Sequence, residues 1–125
     1  MLKLMRNTIA AIAVICMTAP LDASASDKDP WAIWNQTGVH ALMRHATAPG
    51  TGDPSNFTID ECSTQRNLDD TGRRQARETG KQIRQHGIPI DTVLSSQWCR
   101  CMETATLLAL GPVTEEPVLN SFFRD

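Results

Sequence analysis

Short apolar runs separated by polar, helix-like stretches dominate the middle and the end of the chain. Residues 39–44 contain neither Gly nor Pro and predict a short buried strand. Residues 91–95 predict a second strand, and residues 113–119 predict a third, edge-like strand that Pro117 weakens. The helices of the protein must therefore lie between these three runs.

The stretch between the first two predicted strands has the periodicity of an amphipathic helix. Asp69 is a suitable N-cap, Asp70 complements the positive helix end, and Gly87 is the expected stop. Small and apolar residues share one face: Ala76, Thr79, Gly80, Ile83 and Gly87. Basic residues share another face: Arg73, Arg77, Lys81 and Arg84. Because Glu78 interrupts the basic row, we interpret it as a solvated face rather than a phosphate-binding surface.

A second helix is predicted over residues 97–110, with Ser96 as its cap. Its predicted core stripe consists of Trp98, Cys101, Met102, Ala105, Leu108 and Ala109. Residues 48–56 contain two Pro and two Gly and predict a loop after the first strand. The order strand, helix, strand, helix, strand predicts an α/β fold with a mainly parallel sheet flanked by helices. The polar arm before the first strand is predicted to pack Trp31 or Trp34 onto this body.

The N-terminal residues have the three parts of a secretory signal peptide. Two basic residues precede an apolar run over residues 8–18, and small residues at the spacing of a cleavage site end at Ala25. The run is shorter than the roughly 20 residues that a membrane-spanning helix needs, so no stable membrane insertion is expected. The sequence predicts a signal peptide over residues 1–25, a single domain over residues 26–125, and a periplasmic or secreted protein.

Three cysteines follow the predicted cleavage site: Cys62, Cys99 and Cys101. An oxidising compartment favours one disulfide and one free thiol. Cys99 and Cys101 are two residues apart on the predicted helix, so their side chains point to nearly opposite sides and should not pair. A bridge from Cys62 to either one would close a loop of roughly 40 residues, worth about 4 kcal/mol in the loop-entropy model. Because no histidine lies near these cysteines at ligand spacing, a zinc site is not expected.

Arg44, His45 and Arg100 are the candidate site residues. Arg44 and His45 end the first predicted strand, and Arg100 lies one turn into the second predicted helix. Ligands of open α/β sheets bind outside the carboxyl ends of the strands, which is where these residues are expected to converge. Two guanidiniums near a helix N-terminus favour phosphate, and a histidine with a pKa of about 6.5 is neutral enough at pH 7 to act as a nucleophile. The alternative is a paired structural arginine beside a hydrogen-bonded histidine.

Three blocks of residues resemble the histidine phosphatase superfamily, which has a phosphoglycerate mutase-like layered fold. Arg44-His45-Ala46 resembles the strand-end Arg-His-Gly signature of that family, with Ala in the Gly position. Residues 67–76 resemble its leucine-to-glutamine-alanine helix start, and residues 95–105 resemble its Ser-Ser, Arg, Thr-Ala block. The blocks occur in the family's order, and the cysteines beside the last block resemble an exported branch of the family. The resemblance spans about residues 39–110.

The resemblance implies an exported phosphatase that acts on a small phosphomonoester or on a phosphohistidine of a phosphoprotein. In such an enzyme His45 carries the phosphoryl group as phosphohistidine, Arg44 and Arg100 bind its oxygens, and no metal or other cofactor is needed. Further candidates for lining the pocket are Thr47, Thr51 and Arg66. The net charge of −2 argues against a nucleic-acid partner.

The later part of the sequence departs from the family pattern. The family has a second pocket histidine in a later strand, whereas no histidine follows Arg100 here, and we interpret His40 and His86 as structural. Ser121 stands where the family's acidic proton donor is expected. Candidate substitutes for that acid are Glu115, Glu116 and Asp125.

Family domains are longer than residues 26–125, and we expect this chain to be a C-terminally truncated domain. The alternative to a phosphatase is therefore a non-catalytic, phosphate-binding relic or an inactive fragment of the same fold.

Overall fold

The computed structural model of the chain describes residues 29–121. Helices and strands alternate from residue 70 onward. The helices are α1 (Pro30–Trp34), α2 (Asp70–Gln85) and α3 (Cys99–Leu108), the strands are β1 (Val93–Ser95) and β2 (Val113–Glu115), and 3₁₀ helices cover Cys62–Thr64 and Pro117–Leu119. The predicted signal peptide over residues 1–25 lies outside the described residues. Among the helices within residues 29–121, none has the length and apolarity needed to cross a membrane.

The strands β1 and β2 pair in parallel, and α3 connects them. Their register places Val93 opposite Val113. Parallel strands joined through a helix are the basic unit of α/β folds, so the predicted fold class is confirmed. The predicted strand over residues 113–119 is shorter than expected, because β2 ends at Glu115 and Pro117 begins a 3₁₀ turn.

Residues 39–44 are not the buried strand that their apolar run predicts. All six are exposed, with Leu42 at 92% and Met43 at 49% of their full accessibility. A strand needs a neighbouring segment to pair with its backbone donors and acceptors. Within the described residues β1 and β2 pair with each other, and neither pairs with this segment. The prediction was therefore wrong here, because apolar residues alone do not provide a pairing partner.

The helix α2 has the bounds that its caps predict. The Asp69 carboxylate accepts a hydrogen bond from the Gly72 N–H at 2.7 Å, and Asp70 supplies the acidic group of the first turn. After the last turn, Gly87 takes a left-handed conformation with φ of 65°, which ends the helix. The predicted inner face is confirmed in part: Ala76, Gly80 and Ile83 are buried together with Gly72, whereas Thr79 is half-buried and Gly87 is exposed.

The helices α2 and α3 pack closely through the small residues of α2. A Cβ added to Gly80 would lie 2.0 Å from the Leu108 carbonyl oxygen, so only glycine permits this approach. Two members of the basic row also contact α3: Arg84 donates to the Leu108 carbonyl at 2.5 Å, and Arg73 pairs with Glu103 at 2.6 Å. The basic row is thus only partly the solvated face that we predicted, because two of its arginines tie the helices together.

The helix α3 begins later than predicted, and the residues on its inner face differ from the predicted core stripe. It starts at Cys99 rather than at residue 97, and its N-cap is Trp98, without a side-chain hydrogen bond, rather than Ser96. The predicted core residues Trp98, Ala105 and Leu108 are buried, whereas Cys101 and Met102 are half-buried and Ala109 is exposed. Two polar residues take their place on the inner face: Arg100 and Thr104. A pattern read from apolar residues could not anticipate this, because both residues are buried with polar partners.

The arm before residue 39 packs as predicted. The indole of Trp31 stacks on the imidazole of His86 at the end of α2, with ring centroids 3.9 Å apart and planes 10° from parallel. Trp34 stacks in turn on Trp31 at 5.9 Å. His86 is therefore a packing residue, in line with the structural role that the sequence suggested for it.

Candidate active site

His45 lies where the exposed segment enters the body of the protein. The next residue, Ala46, is buried in the hydrophobic core. The Ala46 N–H donates to the Thr104 hydroxyl at 3.0 Å, and that hydroxyl donates to the Arg100 carbonyl at 2.7 Å. These two hydrogen bonds fasten the backbone after His45 to α3.

The following residue, Thr47, is bound to the start of α2. Its N–H and its hydroxyl both donate to the Gln75 side-chain oxygen at 2.9 Å. A Cβ on Gly72 would lie 2.0 Å from the Thr47 carbonyl oxygen, so glycine is required for the first turn of α2 to approach this closely. The backbone that follows His45 is thus held between α2 and α3.

The hydrogen bonding of the His45 ring fixes its tautomer. Nδ1 lies 2.7 Å from the Ala46 carbonyl oxygen, and because a carbonyl can only accept, Nδ1 carries the proton. In the neutral ring the lone pair is then on Nε2. Partial burial lowers the pKa of His45 below its ordinary 6.5, against the hydrogen bond to Ala46, which raises it. Nearby positive charges lower this pKa as well, those of Arg100, Arg66 and Arg44.

Arg100 is buried and paired with a residue that the sequence analysis did not single out. Its side chain is 3% exposed and donates from Nη1 to the carboxylate of Asp53 at 2.8 Å, whose side chain is 8% exposed. The guanidinium lies over the indole ring of Trp98, 4.5 Å from the ring centroid. The opposite charge of Asp53 and the ring face of Trp98 both offset the cost of burying a cation.

Arg66 fastens the loop that carries Asp53. Its backbone N–H donates to the same Asp53 oxygen at 2.8 Å, and its Nε donates to the Gly52 carbonyl at 3.0 Å. Its Nη1 donates to the Ala48 carbonyl. Arg66 was among the candidates for lining the pocket, and it does lie close enough to His45 for its charge to act on the ring.

Arg44 differs from Arg100 in its surroundings. It is exposed, at the end of the unpaired segment. Its charge nevertheless reaches His45, because the two residues are adjacent in the chain. One exposed and one buried arginine, Arg44 and Arg100, therefore both act electrostatically on the His45 ring.

The disulfide joins Cys62 to Cys99, directly before Arg100. Of the predicted alternatives this is the pairing present, and Cys101 is a free, half-buried cysteine. Gln65 adds a second connection, since its side-chain oxygen accepts from the Cys99 N–H at 3.0 Å. The start of α3 is thus fixed covalently and by hydrogen bonds. Within residues 29–121 there is no group of three or more His, Cys, Asp or Glu residues that could hold a metal ion.

Asp53 and Thr104 are the site residues that sequence reasoning missed. Asp53 is the only acid between His45 and Asp60, and an acid in the loop that follows the candidate residues Arg44 and His45 was a usable signal. Thr104 belongs to the quoted Thr-Ala block, but its contact with Ala46 joins residues 58 positions apart. No local pattern reports such a contact.

This part of the chain matches a known protein family. A family model described as "Histidine phosphatase superfamily (branch 1)" matches residues 40–122, which is 83 of the 125 residues. The match includes the whole site, from Arg44 to Arg100. No curated protein and no solved structure is significantly similar to the chain.

Proposed function

The chain belongs to the histidine phosphatase superfamily, and from this membership and the site around His45 we propose that it is an exported phosphatase that works through a phosphohistidine. The observation that carries the proposal is the His45 ring itself: it is held through Nδ1, which leaves Nε2 free to act as the proposed nucleophile, and the charges of Arg100, Arg66 and Arg44 act on it. The proposed substrate is a small phosphomonoester or a phosphohistidine of a phosphoprotein.

In the first step the Nε2 lone pair of His45 attacks phosphorus. The P–N bond forms, the bond from phosphorus to the leaving oxygen or nitrogen breaks, and the leaving atom keeps the electron pair. The lowered pKa of His45 favours this step, because the neutral ring is the form that can attack. Water then cleaves the P–N bond, which releases inorganic phosphate and restores His45.

The role proposed for Arg44 and Arg100 is electrostatic. Charge on the phosphoryl oxygens is spread over the transferred group, and fixed cations stabilise it without having to reorganise. Arg100 suits this role best, since its position is set by α3, Asp53 and Trp98. We include Arg66 as a third positive charge that acts on the same space.

No proton donor for the leaving group is assigned. Glu115 accepts a hydrogen bond from the Gln97 side chain at 3.4 Å, and Glu116 caps the last 3₁₀ turn. Asp125 lies outside the described residues. The experiment below therefore uses a substrate whose leaving group departs without a proton.

The export part of the proposal rests on the signal-like residues 1–25 and on the Cys62–Cys99 disulfide, which is of the kind that persists in oxidising compartments. We expect expression of the full gene to give a periplasmic or secreted protein cleaved after Ala25. N-terminal sequencing of the fractionated protein checks this. Uncleaved protein confined to the cytoplasm would contradict it.

The chemistry is tested by incubating the protein with 4-nitrophenyl phosphate and trapping any phosphorylated protein rapidly. The assay then checks whether acid releases the bound phosphoryl group. We expect a stoichiometric, acid-labile phosphoenzyme in the natural protein and none in His45→Gln, because Gln keeps much of the size but offers no nucleophilic nitrogen. His40→Gln, an exposed histidine five residues earlier, is the matched control and should keep the phosphoenzyme. Phosphorylation of His45→Gln would exclude the nucleophile assignment.

A phosphate-binding protein without turnover is the second candidate. This candidate is favoured because the two histidines of the chain besides His45 have other positions. His86 stacks on Trp31, and His40 belongs to the exposed segment. Binding of inorganic phosphate together with absence of a phosphoenzyme would select this candidate over the phosphatase.

A further inference from the structure

We propose that Asp53 is a positioning residue, which holds the Arg100 guanidinium through Nη1 and so leaves its other terminal nitrogen, Nη2, for the phosphate. The proposal rests on the phosphate-binding role given to Arg100 in the proposed function. Asp53 itself touches neither substrate nor the reacting atoms in this account. It acts through Arg100.

The first support is the way Asp53 is held. One carboxylate oxygen, Oδ1, accepts from both the Arg66 N–H and Arg100 Nη1, each at 2.8 Å. Arg100 Nη1 also donates to the Arg66 carbonyl at 3.4 Å. The three residues therefore form a closed set of hydrogen bonds that joins the Asp53 loop, the segment after the disulfide and α3. A carboxylate bound at two points fixes a guanidinium far better than a mobile surface acid would.

The second support is what Asp53 leaves free. Both hydrogen bonds from the Arg100 guanidinium to described residues start at Nη1. Nε is fully buried and has no partner there, although the side chain is 97% buried and an unpartnered donor at such a site is costly. The Trp98 ring, 4.5 Å away, sets the plane of the group. Arg100 thus keeps a terminal nitrogen, Nη2, that no described residue uses and that can donate to a phosphate oxygen.

The third support is the contrast with a competing role. An acid beside a phosphate-binding arginine can also occupy the phosphate's place and inhibit binding. A competitor would be expected to bind both terminal nitrogens of the guanidinium, whereas Asp53 bonds to Nη1 alone. It is also held by the Arg66 backbone, so it has a partner that does not change when phosphate binds. These contacts favour positioning over competition.

The two roles predict opposite changes, which a binding experiment separates. The probe is inorganic phosphate, with its dissociation constant measured by calorimetry on the disulfide-bonded protein. Asp53→Ala removes the anchor, and we expect the dissociation constant to rise roughly tenfold. Asp53→Asn keeps an acceptor oxygen of the same reach and should restore part of that loss. Asp91→Asn, an exposed acid, makes the same change in net charge and should leave the affinity unchanged.

Tighter binding in either Asp53 variant would show that Asp53 competes with phosphate, and affinity equal to that of the natural protein would show that it has no role. Either result overturns the proposal, and so does a natural protein that binds no phosphate. If Asp53→Ala does not fold, Asp53→Asn against Asp91→Asn decides alone. Because binding is measured without turnover, absence of a phosphoenzyme would refute the proposed chemistry while leaving this assignment standing.

Discussion

The two arginines of the candidate site differ in almost every physical respect, although both are expected to bind the same phosphoryl group. Arg100 belongs to α3, is 3% exposed in its side chain, and is paired with Asp53. Arg44 ends an exposed segment that is not part of the sheet described here. One half of the site is therefore organised before any ligand arrives, and the other half is not.

His45 lies at the junction of these two halves. Its own segment is exposed up to Arg44, but the next residue is buried and bonded to α3 through Thr104. The ring is thus positioned from its C-terminal side, by the packing of α2 and α3, rather than by pairing of the strand-like segment before it. The packing of α2 and α3, not the apolar run, therefore determines where His45 lies.

The largest effect is expected from Arg100→Gln compared with Arg44→Gln. Removing the buried cation leaves Asp53 as an unpaired buried charge, so the free energy of unfolding should fall by about 3–5 kcal/mol. Phosphatase activity should fall roughly 10³-fold. Arg44→Gln should cost roughly 100-fold in activity but less than about 0.5 kcal/mol in stability.

Urea unfolding and kcat/KM with 4-nitrophenyl phosphate measure both quantities for this pair. Arg77→Gln, an exposed arginine of α2, controls for the loss of one positive charge. Equal losses of stability in the Arg44 and Arg100 variants would mean that the two halves of the site are equally organised, contrary to the comparison.

The second prediction compares alanine substitutions at two glycines of α2. Each brings a Cβ too close to a carbonyl oxygen, but in a different part of the structure. Alanine at Gly72 or at Gly80 puts a Cβ 2.0 Å from a carbonyl oxygen, of Thr47 and Leu108 respectively. Each substitution should lower the free energy of unfolding by about 1–3 kcal/mol, reduced by the better helix propensity of alanine. Only Gly72→Ala displaces the backbone after His45, so only it should also weaken phosphate binding in the folded protein. Equal binding in both variants would show that the site does not depend on α2.

These contacts show which parts of the molecule the sequence could predict. The bounds of α2 follow from local signals, the Asp69 cap and Gly87, and the structure confirms them. The predicted strand over residues 39–44 failed because pairing depends on a segment distant in the chain. The burial of Arg100 on α3 was not predicted for the same reason, because it depends on Asp53, 47 positions away, which neutralises its charge. His45, Arg44 and Arg100 were predicted as a group, because two of the three ordered blocks contain them.

The third prediction concerns the connection between Ala46 and α3. Thr104→Val keeps the shape of the side chain but removes the hydroxyl that accepts from the Ala46 N–H. The buried N–H loses its partner, which should cost about 1–3 kcal/mol of stability. Thr106→Val, an exposed threonine on the same helix, should change stability by less than about 0.5 kcal/mol. Thermal unfolding compares the two, and equal values would mean that the Ala46 contact adds nothing to the fold.

The smallest expected effect is a change in the pKa of the His45 ring. This pKa reports directly on both halves of the site, because arginines of both halves act on it. Burial and the three arginine charges hold the pKa of His45 below 6.5, so the ring stays neutral until the pH falls below that value. The unfolded chain takes up this proton first, so this residue's contribution to stability is present above pH 6.5 and declines as the pH falls towards the lowered pKa. NMR of the histidine ring signals measures the pKa of His45, with His45→Gln identifying its resonance.

Removing a positive charge should raise the pKa of His45, more in Arg100→Gln than in Arg44→Gln, because Arg100 is the strongest of the charges acting on the ring. The reverse order would mean that the exposed arginine, not the buried one, has the larger electrostatic effect on His45.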